Sequence, residues 1–202
     1  MPETSNRMIL SSAEQSLVAD AGALVVLTGD VGSGKTLWLK RMATLVALPD
    51  GLTCTMAESA PVVRMMFDRW PCSWLGQTVE EELMFGLKGA VSVLLMEETL
   101  RRWGLKGVAL ADETQSLNRL QSIRLSLAGI DLANPALVLL DNPSAALCEQ
   151  MALDLSMDIA AWLKQTNTIV VVATNRWQDW QTVLTQTWHV ESPKCLPEHV
   201  KY

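Results

Sequence analysis

Gly29-Asp30-Val31-Gly32-Ser33-Gly34-Lys35-Thr36 is the stretch that decides the fold of this chain. It matches the pattern GxxxxGK[ST], whose glycines let the backbone curl around an anion without Cβ clashes. The flanks agree. Ala23 to Thr28 (ALVVLT) is a short, continuous apolar run and reads as a buried strand. Leu37 to Ala47 reads as a helix, with Leu39, Met42, Ala43 and Val46 at helical spacing, ended by Pro49, Asp50 and Gly51. The amides around Gly32 to Lys35 then point inward at the positive end of that helix. Lys35 is expected to reach the β- and γ-phosphates of a nucleoside triphosphate, ATP above all. The Thr36 hydroxyl is expected on magnesium. A glycine turn with no ligand is the alternative, and strand, loop and helix in succession argue against it.

Further along the chain, Pro61 to Phe67 reads as a strand and Arg69 to Gly76 as a loop containing Pro71. Thr78 stands as a helix cap, with Glu81 in the capping-box position, for a helix reaching about Leu87. Ser92 to Arg102 and Thr114 to Leu132 read as two more helices. Ala136 to Leu140 is a second all-apolar run, and it ends in Asp141. Glu149 to Gln165 is an amphipathic helix, Thr168 to Ala173 a β-branched strand, and Trp188 to Val190 a last short strand. Met1 to Asn6 reads as a frayed end. Apolar strands alternating with helices predict an α/β fold of the P-loop NTPase kind. Its sheet is mostly parallel with helices on both faces, and a small helical subdomain spans about 78–132 of a single 1–202 domain. Asp141, buried at the carboxyl edge of the sheet, needs a partner. It reads either as a magnesium-side carboxylate acting through water or as a cap for the next turn.

Composition bounds the partners. A net charge of −6 argues against nucleic acid, which calls for a basic stripe. No run approaches the roughly 20 apolar residues that span a bilayer. No basic cluster leads into an apolar stretch at the N-terminus, so no secretory signal is read. Cys54, Cys72, Cys148 and Cys195 are scattered, as expected of reduced thiols in a cytoplasmic protein. Eight tryptophans against two phenylalanines and one tyrosine is an unusual ratio. The tryptophans read as core filling or as interface residues.

Taken in order, these pieces resemble an ATP-binding-cassette ATPase domain over roughly residues 22–192. Gly29 to Thr36 looks like its Walker A. Asn134 to Leu147 looks like Walker B with its flanks, and Thr168 to Asn175 like the strand leading to the switch histidine. Thr78 to Gly86 (TVEEELMFG) is similar to the segment after the Q-loop in energy-coupling-factor and cobalt-type importer ATPases. The resemblance implies ATP with Mg2+, and metal-side roles for Thr36, Asp141 and, by alignment with the Q-loop glutamine, Asp68. It implies a homo- or heterodimer, and a membrane subunit docking near 69–86 (Trp70, Trp74 and Phe85) at the cytoplasmic face of a membrane.

The departures from the family pattern bear on chemistry. Asn142 stands where the family has the glutamate that polarises the attacking water. A carboxamide orients water but cannot take its proton. Asn175 replaces the switch histidine. Leu117 to Gln121 (LNRLQ) aligns with the LSGGQ signature and puts Arg119 and Leu120 at its glycines. Arg119 reads as a charge for a phosphate in trans or as a solvated helix-start residue. Arg64, Arg69 and Arg176 read as surface charges. The region before the glycine loop has no aromatic residue, so the usual adenine-stacking aromatic is missing, and Trp38 lies after the loop on the helix. Three functions follow: a nucleotide-dependent switch or scaffold with slow or absent turnover, an ATP-hydrolysing subunit of a transporter, or another P-loop enzyme such as a kinase.

Overall fold

The structure is a computed structural model that describes residues 6–69 and 73–201. The expectations for Met1 to Ser5, Trp70, Pro71 and Cys72 lie outside the described residues. The chain divides into two compact units, Met1–Phe67 with Ala136–Tyr202, and Asp68–Pro135. The first unit opens with β1 (Arg7–Ser11), β2 (Ser16–Asp20), β3 (Leu24–Thr28), α1 (Lys35–Met42), β4 (Thr53–Met56) and β5 (Val63–Met66). The second holds α2 (Val79–Met84), α3 (Val93–Arg102) and α4 (Arg119–Leu132). The first then resumes with β6 (Leu137–Asp141), α5 (Glu149–Leu163), β7 (Ile169–Ala173), β8 (Gln186–His189) and β9 (Glu198–Val200).

One sheet has the order β5-β6-β7-β3-β8-β9, parallel throughout except for the antiparallel β8–β9 pair. In β3, β6 and β7 every residue is buried. A strand flanked on both sides and covered on both faces has no solvent-facing position to alternate with, which is why these segments are apolar up to the final Thr28 of β3 and Asp141 of β6. Val25, Leu27, Leu139 and Val171 join Trp38, Leu39 and Met42 of α1 in one core. The alternate residues Leu24, Val26, Val138, Leu140, Val170 and Val172 are equally buried. The crossover helix α5 contributes a buried stripe of Ala152, Leu155, Ile159 and Trp162.

A second sheet, β2-β1-β4, is antiparallel and adds to the single parallel sheet expected from the sequence. Its strands show the alternation of a half-buried surface. Met8, Leu10, Leu17 and Ala19 turn into the same core as α1, while Arg7 and Asp20 stay outside and pair at 2.6 Å. Asn6, expected to fray, is anchored: its Nδ2 donates to the carbonyls of Ala136 (2.6 Å) and Asn167 (2.9 Å).

In the second unit Thr78 forms the expected capping box with Glu81. Asn118 forms another with Gln121. That second cap moves the start of α4 to Arg119, and Thr114–Ser116 is a separate 3-10 turn. The Leu117–Gln121 stretch is therefore a helix start. Three other helices are shorter than expected. α1 stops at Met42 because Thr44 takes a left-handed φ of 59°; α2 stops at Met84, before the extended Phe85; and α5 stops at Leu163. The last parallel strand runs from Gln186 to His189. Of the described tryptophans, Trp38, Trp103, Trp162, Trp180 and Trp188 are buried, and Trp74 and Trp177 are half-buried. Core filling is their main role.

Candidate phosphate and metal site

β3 delivers the chain to the carboxyl edge of the parallel sheet, where the glycine loop turns into α1. Gly29 (φ 138°) and Gly34 (φ 100°) are required twice over, by backbone conformation and by space. A Cβ on Gly29 would lie 2.4 Å from the Val190 carbonyl oxygen, and one on Gly34 would lie 2.8 Å from Pro193 Cβ. Gly32 (φ 85°) is different, because a Cβ there meets nothing within 4 Å among the described residues. It marks the open side of the loop, beside the exposed Asp30 and Val31. Ser33 Oγ is buried without a hydrogen-bond partner among the described residues. Gly34 caps α1 with no side-chain acceptor, so the loop and the first turn keep donors for an anion.

Lys35 Nζ donates to the carbonyls of Gly29 (2.7 Å) and Asp30 (2.9 Å), which folds the ammonium across the loop. Burial pushes the pKa of this amine down, while the charges of Asp30 and Asp141 act in the opposite direction. Thr36 Oγ1 donates to Asp141 Oδ1 at 2.9 Å. Asp141 is 7% exposed at the end of β6, and β7 lies between β6 and β3, so the fold joins a hydroxyl and a carboxylate across the end of β7. Among the described residues no group of three or more His, Cys, Asp or Glu side chains is placed to hold a metal. A hydroxyl beside one carboxylate fits magnesium, which keeps waters and phosphate oxygens in its shell and does not need a protein cage.

The remaining candidates are placed as follows. Asn142 is half-buried next to Asp141, takes φ 52°, and donates its N–H to the Ala173 carbonyl at 2.7 Å. Asn175 is exposed just beyond β7. Asp68 belongs to the second unit, where it faces Arg119 at 4.0 Å. Trp38 is fully buried under Arg41, whose guanidinium sits 4.9 Å over its ring and also donates to the Pro193 carbonyl. It is therefore not offered to a base. Arg64 is half-buried on β5 and Arg69 is exposed.

Arg176, read from sequence as a surface charge, is engaged on several sides. It bonds the carbonyls of Ser144 and Leu147 and the carboxylate of Asp179. Its spacing from Asp179 is visible in the sequence. Nothing in the sequence points to Ser144, because that contact depends on β6 and β7 being neighbours.

No protein-family model matches the chain. Curated relatives do. The sulfate/thiosulfate import ATP-binding protein CysA of Nocardia farcinica is 31% identical over 166 residues, 76% of this chain and 48% of its own. The energy-coupling factor transporter ATP-binding protein EcfA1 of Levilactobacillus brevis is 25% identical over 172 residues, 78% of this chain and 61% of its own. The chain thus spans about half to three-fifths of the length of these relatives. Among solved structures, cbiO1 from Clostridium perfringens, part of the transporter complex cbiONQ, superposes with a TM-score of 0.77 at 13% identity. The match covers 95% of this chain and 87% of that one. The glycine loop, the sheet that carries it and these relatives agree, and the chain belongs to the ATP-binding-cassette ATPase family.

Proposed function

We propose that this chain is the ATP-binding, energy-transducing subunit of a transporter-type complex, holding ATP with Mg2+ at Gly29 to Thr36. The observation that carries the reading is the Thr36–Asp141 contact beside the open Gly32 cradle and the folded-over Lys35. In this reading Lys35 releases two backbone carbonyls and turns its ammonium to the phosphates, and loop amides bind the oxygens. Thr36 and Asp141 would hold the metal between them. When bound, Mg2+ neutralises charge that builds on the phosphates. Asn142 and Asn175 are assigned the water-facing positions.

Relatives named as transporter ATP-binding proteins support this reading over a scaffold. Membership in the family leaves the kinase alternative without support. The switch reading keeps one specific observation, the carboxamide of Asn142 directly after the metal-side Asp141. An Asn there lowers the rate by roughly 10²- to 10⁴-fold relative to a carboxylate, if proton transfer limits. Magnesium-dependent ATP binding together with single-turnover hydrolysis tests both readings on the wild type, Lys35→Ala and Asn142→Glu. Ordinary transporter rates in the wild type would end the switch reading. Turnover appearing only in Asn142→Glu would establish that reading, and no triphosphate binding at all would overturn the site.

For partners, we infer a second cassette subunit and a membrane subunit meeting the 69–86 region. Leu75 and Phe85 are 66% and 60% exposed there, Trp74 is half-buried, and Trp70 lies outside the described residues. Among the described residues no helix is long and apolar enough to cross a membrane. Residence at the cytoplasmic face would therefore come through that partner.

A further inference from the structure

Resting on the ATP reading above, we propose that Arg176 is a positioning residue. It clamps the loop after β7 to the loop after β6, so that bound nucleotide orders Asn142 through Cys148 as one piece. The two loops leave neighbouring parallel strands from the same edge. Asn142 is tied to β7 through its N–H bond to Ala173. Five residues later the chain reaches Leu147, and the stretch is closed on itself by Ala145 N to Asn142 O (3.2 Å) and Leu147 N to Ser144 O (3.1 Å).

Arg176 grips the far end of that stretch. One terminal nitrogen, Nη1, donates to Ser144 O (3.2 Å) and Leu147 O (2.9 Å), and the other, Nη2, to Asp179 Oδ1 (3.0 Å). The second oxygen of Asp179 accepts from Ser144 Oγ at 2.8 Å. Asp179 and Ser144 are 4% and 0% exposed. The Arg176 backbone is itself held, its N–H donating to Thr174 Oγ1 at 2.9 Å.

A buried carboxylate is costly without such partners, and a planar guanidinium serves two carbonyls and a carboxylate at once. With so few residues between the two anchors, a shift at Asn142 carries Ser144 and Leu147 against the clamp. Arg176 thereby acts through the backbone of the 142–147 turn.

Hydrogen–deuterium exchange on the full chain, with and without Mg-ATP, tests this. In the wild type, nucleotide should slow exchange in 29–36 and, by about fivefold or more, in 142–148. In Arg176→Ala the first effect should remain and the second should vanish. Arg176→Lys, which keeps the charge but not the fork, should retain folding by circular dichroism and weaken only the second effect, so it decides the matter if the alanine variant does not fold. Equal protection of 142–148 in the wild type and the lysine variant, or none in the wild type while 29–36 is protected, overturns the clamp alone. No protection at 29–36 in the wild type would bring down the ATP reading, and the clamp with it.

Discussion

At the residue scale, Lys35 and Asp141 give the sharpest expectations. Burial outweighs the nearby carboxylates at Lys35, so its ammonium is lost below the ordinary 10.5. In the window between the lowered value and 10.5, the unfolded chain holds more protons than the folded one. The contribution of Lys35 to stability therefore rises with pH there. Phosphate binding has the opposite sign, because it needs the charge. Nucleotide affinity is expected to fall with rising pH, with a break below 10.5 in the free protein, and Lys35→Arg should remove that break. Titration calorimetry across pH reads it. At Asp141, replacement by Asn should weaken Mg2+-dependent binding by about 10- to 100-fold, as for a group acting on metal through water. Metal-free nucleotide binding should change little, and a magnesium titration at fixed nucleotide separates the two. How much of this site was legible is a matter of contiguity. Gly29 to Thr36 lies in one stretch, and Asp141 ends an apolar run, so both could be read. Arg176 could not, because its value comes from carbonyls that a strand crossover brings beside it.

At the element scale, local chemistry sets boundaries that periodicity alone misjudges. The Asn118 capping box starts α4, and Asn118→Ala should cost about 1 kcal/mol in chemical denaturation. A value near zero would show that the helix start is held by packing alone. The same logic explains the misplaced ends. Helical spacing of apolar residues runs on through Val46, yet the backbone turns left-handed at Thr44, a β-branched residue at which no periodic signal marks a break. The β2-β1-β4 sheet leaves little trace in the sequence because its strands are only four or five residues long and half polar. The period-two burial of Met8 and Leu10, then of Leu17 and Ala19 across a short turn, was the available signal. The all-buried strands were easy to read because they need no alternation.

At the scale of the whole molecule, binding and stability are linked. If ATP with Mg2+ binds only the folded chain, a hundredfold excess over Kd adds about 2.7 kcal/mol. For a chain of this length that corresponds to roughly 5–10 °C in Tm. Lys35→Ala should abolish most of that shift in a thermal scan, and a shift that survives it would place the nucleotide elsewhere.

The first unit is written in two halves, with 68–135 between them. A ribosome therefore finishes Lys35 and Thr36 long before Asp141 exists, and β7, which must slot between β3 and β6, emerges later still. Until then a nascent chain carries an anion cradle with no acid to complete its cation site, on a sheet whose middle strand has yet to be made. Such late, non-local closure slows maturation and leaves apolar edges in the open, so the newborn protein depends on what shields those edges during synthesis.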